Sequence, residues 1–222
     1  MNPPEPLKMM PRRTKKAVFD TIVCSIEILI FGYFINYPFP YKIIAFIPLI
    51  MVAFIISRHI NSPMTSFQLL FRNTLTLRTG VYIIIGFQLG LAAAMYYRGS
   101  SGIPIFPDFF KPFAFVAASI GIMEELFFRG FIQTQMTRLN PHFAVFFAAL
   151  AHTAYKASLF LSPAADQPHD NIILFIGYSF AAYIILGILK NKSKSLLPAI
   201  IAHAIFDLVV YAEVVHAPWW VW

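Results

Sequence analysis

The stretch Gly121-Ile122-Met123-Glu124-Glu125-Leu126-Phe127-Phe128-Arg129-Gly130 lies within a long apolar run and puts two adjacent carboxylates and a guanidinium where a lipid-facing helix tolerates none. Each charge at the centre of a membrane helix costs roughly 2.5 to 3.5 kcal/mol. A chain that keeps three of them must fold so that other segments enclose them. Glu125 and Arg129 are four residues apart, so on a helix they share a face, with the carboxylate N-terminal to the cation. Glu124 points about a third of a turn away, toward whatever other helices supply.

The rest of the chain supplies helices. Of 222 residues 59% are hydrophobic and 12% charged, which excludes an ordinary soluble domain. At about 20 apolar residues per span, the spacing predicts an all-α, polytopic bundle of about seven membrane helices, six to eight in range. They are Ala17 to Ile35, Tyr41 to Ser57, Gly80 to Tyr97, Pro112 to Gln133, His142 to Leu161, Asn171 to Leu189 and Leu196 to Val215. The first is too long for a signal peptide and lacks a small-residue cleavage pattern. Residues 1–222 read as a single integral membrane domain with a basic cytoplasmic segment over 1–16 and a polar core over 112–210. Start signals are Asn140-Pro141 for the fifth helix, Asp170-Asn171 for the sixth, and Ser195 with Pro198 for the seventh.

Loop charges orient the chain. One side receives Lys8, Arg12, Arg13, Lys15 and Lys16, then Arg58, Arg72 and Arg78, then Arg138, then Lys190, Lys192 and Lys194. The other receives Lys42, Arg98 and Lys111, with Asp108, Asp166 and Asp170. The N-terminus is therefore expected in the cytoplasm, and the terminal Pro218-Trp219-Trp220-Val221-Trp222 as an aromatic anchor opposite. The net charge of +7 reports this orientation and not nucleic-acid binding. The lone cysteine, Cys24, excludes an intrachain disulfide and a cysteine metal site. Gly99 to Pro112, with three prolines and three phenylalanines, reads either as an interfacial connector or as a gate over a site.

Further polar residues sit at mid-depth: His152 in the fifth span, and His203 and Asp207 one turn apart in the seventh. With a rise of about 1.5 Å per residue, Glu124 lies roughly 18 Å from the outer end of its helix, while His152, His203 and Asp207 lie roughly 15, 10 and 17 Å from the inner ends of theirs. Antiparallel helices thus deliver them to one level, which reads as a functional site. Glu27 and Gln88 read as paired or supporting residues, Lys156 as a snorkelling side chain able to reach a substrate carboxylate, and Asp20 and Glu213 as helix-end charges.

A carboxylate facing an imidazole in a dry cavity can deprotonate water and return the proton to a leaving amine, as peptide hydrolysis requires. Glu124 with His152 fits, with His203 donating to the oxyanion and Glu125 with Arg129 fixing the helix face. His152, His203 and a carboxylate could also hold Zn²⁺ with Glu124 as base. Arg129 beside the carboxylates would repel a dication and favours the metal-free form.

Glu124-Glu125-x-x-x-Arg129, His152 and His203-x-x-x-Asp207, in this order on separate helices, resemble the three motifs of the type II CAAX prenyl protease and bacteriocin-processing family of intramembrane proteases, also called Abi or CPBP. The resemblance spans Pro112 to Val210. It implies that Glu124 and His152 activate the water, that Glu125 and Arg129 support them, and that His203 and Asp207 stabilise the oxyanion. Two positions depart from the pattern: Ala148, where an aromatic usually precedes the histidine by four, and Asp207, where Asn often stands. An ionised Asp207 cannot donate to an oxyanion; it can orient His203 or accept a substrate N–H. The implied partner is a membrane-associated peptide or protein, such as one carrying a C-terminal sorting signal or a leader, in a bacterial inner membrane. Two other classes stay open on the residues alone: a proton- or ion-coupled transporter, and a non-catalytic bacteriocin-immunity or binding protein.

Overall fold

The computed structural model describes residues 12–59, 76–163 and 172–215. Among these residues there are seven helices and no strand. They are α1 (Arg12–Phe34), α2 (Ile43–His59), α3 (Leu77–Ser100), α4 (Pro112–Glu125), α5 (Pro141–Leu161), α6 (Ile172–Ser193) and α7 (Leu197–Val210). Residues 1–11 of the basic N-terminal segment, Arg72, Asp166, the Asp170-Asn171 start signal and the tryptophan-rich end lie outside the described residues. The apolar runs set the helices but not their ends. Helix α1 begins at Arg12 and α3 reaches Ser100, because backbone hydrogen bonding continues past the last apolar side chain, whereas α7 stops at Val210, short of the predicted Val215. Asn140 starts α5 by accepting from the backbone N–H of His142 and Phe143, with Pro141 in the first turn.

Helix α7 packs against α3, α4 and α6, while α5 packs against α1 and α6, and α1 against α2. The tight α3–α7 contact follows from Gly86 and Gly90. A Cβ on Gly86 would stand 2.4 Å from the Pro198 carbonyl oxygen, and one on Gly90 would stand 2.2 Å from that of Ala202. Small residues one turn apart let two membrane helices meet backbone to backbone. A buried apolar cluster of Cys24, Val52, Phe128, Ile132, Ala151 and Leu159 joins α1, α2 and α5 to the segment after α4.

That segment, Leu126–Gln133, is π-helical and runs on into a short α-helical piece, Thr134–Met136. The sequence predicted one regular helix here. On an α-helix, residues four apart drift around the axis by about 40° per step. The wider i→i+5 turns counter that drift, so Phe128, Arg129, Ile132 and Gln133 stay on the buried face beneath Glu124 and Glu125. π-helical turns recur at functional sites for this kind of reason.

Several charges expected at surfaces are instead buried or paired. Arg98 is 1% exposed, donating to the carbonyls of Pro104 (2.6 Å) and Val209 (3.1 Å) and to Glu213 Oε2 (2.9 Å). Glu213 Oε1 also accepts the Asp108 N–H at 3.0 Å, and the Lys111 N–H reaches the Ala212 carbonyl at 2.7 Å. Residues 99–112 are therefore strapped to the end of α7. Buried at the end of α3, the guanidinium binds carbonyls that the loop and the end of α7 leave unpaired. Asp20 pairs with His59 at 2.9 Å. Among the described residues Glu27 makes no ion pair, and Gln88 is exposed on α3.

Candidate active site

The last turn of α4 carries Glu124, 7% exposed, and Glu125, fully buried. One turn on, Arg129 Nη1 lies 3.0 Å from Glu125 Oε1, and Nη2 donates to the Tyr183 carbonyl of α6 at 3.0 Å. The guanidinium also lies over the Tyr183 ring, 4.9 Å from its centre, and Nη1 donates to His152 Nδ1 of α5. An arginine can only donate. His152 Nδ1 must therefore be the ring's acceptor, which leaves the proton on Nε2, and Nε2–H donates to Glu124 Oε2 at 2.9 Å.

The His152 ring has no freedom to leave this line. Phe128 stacks on one face, with centroids 4.0 Å apart and planes 9° apart, and Tyr183 on the other, at 3.6 Å and 7°. The other Glu124 oxygen, Oε1, accepts from Lys156 Nζ. Across from α5, His203 of α7 uses Nδ1 on Glu125 Oε1 at 2.9 Å. A carboxylate oxygen accepts, so Nδ1 carries a proton. Nε2 of His203 stands 3.7 Å from Glu124 Oε2 and 3.6 Å from Asp207 Oδ2, beyond direct hydrogen bonding. Gly121 makes room for this wall: a Cβ there would stand 2.3 Å from Asp207 Oδ2 and 3.2 Å from His203 Cδ2.

All six residues singled out by sequence thus line one buried cluster. Four more join them that the sequence did not assign. Lys156 is turned inward, its side chain 11% exposed, and does not snorkel. The signal was its position one turn from His152 on the same face of α5, where the Glu124 carboxylate is within reach. Phe128, Tyr183 and Gly121 carried no such signal, since an aromatic or a glycine in an apolar helix ordinarily serves packing. Phe128 and Tyr183 supply the aromatic contact to the histidine that Ala148 does not.

The zinc set of His152, His203 and a carboxylate does not fit this arrangement. Both His152 nitrogens are engaged, one by a cation, and Lys156 adds a second cation beside Glu124. Among the described residues no group of three or more His, Cys, Asp or Glu is disposed to hold a metal ion. What the geometry can do is hold one buried carboxylate against an oriented imidazole.

No curated protein and no solved structure matches the chain. Residues 106–209 match the family model described as type II CAAX prenyl endopeptidase Rce1-like. That stretch holds every residue of the cluster and carries the order of motifs read from the sequence. The helical core from residue 106 to residue 209 is thus similar to the Rce1-like type II CAAX prenyl endopeptidase family, the resemblance that the three sequence motifs carry.

Proposed function

We propose that the protein hydrolyses a peptide bond near the end of a membrane-associated peptide or protein, using a water activated by Glu124 and no metal. The observation that carries this reading is the relay Arg129–His152–Glu124, in which each donor is fixed by the group behind it. Glu124 takes the water proton as general base and later gives it to the leaving amine. His152 is a positioning residue: its Nε2–H holds Glu124 in line and stabilises its charge. Glu125 and Arg129 anchor the α4 face, and His203 and Asp207 form the opposite wall, where Asp207 accepts a substrate N–H. The family description supports a CAAX-type C-terminus as substrate; a C-terminal sorting signal or a leader is the bacterial equivalent. The basic loops support a single domain in a bacterial inner membrane with the N-terminus in the cytoplasm.

The test is cleavage by purified protein in micelles, with and without chelator. Glu124→Gln and His152→Ala are each expected to lower kcat by about 10² to 10⁴-fold, the usual share of a general base, while chelator has no effect. Full activity in Glu124→Gln would remove the mechanism. Proton-driven flux in liposomes with no peptide product would remove the hydrolase in favour of a transporter.

A further inference from the structure

Resting on that hydrolytic reading, we infer that Lys156 is a catalytic residue whose ammonium stabilises the oxyanion of the tetrahedral intermediate. A hydrolase that attacks a carbonyl needs a donor aimed at the oxygen that becomes negative. The third-motif position usually assigned part of that task holds Asp207, which accepts when ionised. Most other donors of the cluster are committed, and the Arg129 Nε–H, which has no partner among the described residues, is fully buried with its side chain. Arg129 is fully buried and spends Nη1 on His152 and Glu125 and Nη2 on the Tyr183 carbonyl. His152 spends Nε2–H on Glu124, and His203 spends Nδ1–H on Glu125.

Lys156 differs on each count. Its Nζ has three N–H donors, of which one is accounted for by Glu124 Oε1. It is the partly exposed cation of the cluster, at 11% against 0% for Arg129, so it borders the space a substrate must enter. It also touches the carboxylate that holds the attacking water, which puts the nascent oxyanion within its reach without its leaving Glu124. In the step itself the water oxygen bonds to the carbonyl carbon while its proton passes to Glu124, and the carbonyl π pair moves onto oxygen, where Lys156 N–H donates to it. Collapse returns that pair to C=O, breaks the C–N bond and sends the Glu124 proton to the amine. Lys156 keeps its protons throughout.

The experiment compares wild type, Lys156→Met and Lys156→Arg in micelles, using a quenched-fluorescent peptide with a prenylated CAAX end and its phosphinate analogue. Lys156→Met is expected to lower kcat by about 10² to 10³-fold, the usual loss of one oxyanion donor, with KM little changed. Phosphinate affinity should fall with kcat, and Lys156→Arg should recover part of both. Should Lys156→Met fail to fold, Lys156→Gln is measured in the same way. Loss of kcat with unchanged phosphinate affinity would reduce Lys156 to a positioning residue and overturn the assignment. So would a defect confined to KM that vanishes when the peptide's terminal carboxylate is amidated, which would make Lys156 a carboxylate receptor. An inert wild type overturns the hydrolytic reading itself, whereas an active wild type matched by Lys156→Met overturns this assignment alone.

Discussion

Removing Arg129 tests whether the buried cluster is held by charge pairing. Arg129→Met keeps the length and apolar stem of the side chain but deletes its links to His152 Nδ1, Glu125 Oε1 and the Tyr183 carbonyl. Hydrogen bonds from a charged donor contribute about 1.5 to 3 kcal/mol each, but they share one group and do not add. The larger effect is that Glu125, fully buried, keeps a charge with only His203 Nδ1 bonded to it. Breaking a buried pair by removing one partner costs about 3 to 5 kcal/mol. At about 2 to 4 °C per kcal/mol for a chain of this size, Tm should fall by about 6 to 20 °C. Cys24, fully buried and the sole cysteine, supplies the assay: a fluorogenic thiol reagent labels it as the bundle opens on heating. Adding Glu125→Gln should return at least half of the lost stability, since the amide oxygen still accepts from His203 while the orphan charge is gone. Arg129→Met melting within about 2 °C of wild type would refute the reasoning, as would a double variant less stable than the single one.

Two other perturbations separate the site from its scaffold. Gly121→Ala sets a methyl 2.3 Å from Asp207 Oδ2 and 3.2 Å from His203 Cδ2, so the Asp207 carboxylate must move and the wall is displaced; kcat should drop by about 10²-fold, the penalty for misplacing reacting groups by about 1 Å, and unaltered kinetics would show that this wall is not used. At the loop strap, the Asp108 N–H and then the Arg98 guanidinium hold the Glu213 carboxyl below the usual carboxylate range. A depressed folded pKa means that the strap's contribution is complete above the unfolded value and is lost as pH falls through the folded one. Wild-type Tm should therefore decline more steeply in acid than that of Glu213→Gln, and parallel curves from pH 7 to 3 would contradict the strap.

Much of the candidate site was legible because its members violate their surroundings. Glu124, Glu125, Arg129, His152, His203 and Asp207 are polar residues in apolar runs, and helical spacing alone pairs Glu125 with Arg129 and His203 with Asp207. Lys156 obeyed the same rule but was read as snorkelling, because a long cationic side chain in lipid has two outlets and only the position of Glu124 decides between them. Arg98 was misread for the same reason in reverse: near a helix end it looks solvated, yet the strapped loop offers it carbonyls at 2.6 and 3.1 Å.

What the sequence determined by itself is what local physics determines: that the chain lies in a membrane as helices, and which ionisable groups cannot face lipid. Hydropathy and helical spacing need no knowledge of distant residues. The tertiary structure decided everything that depends on which helix faces which. The π-helical turns keep Arg129 under Glu125, Phe128 and Tyr183 clamp His152, and Gly121 admits Asp207 to the wall. Those contacts join residues up to dozens of positions apart, and a hydrogen bond or a stacked ring is defined by position in space, which no local pattern encodes.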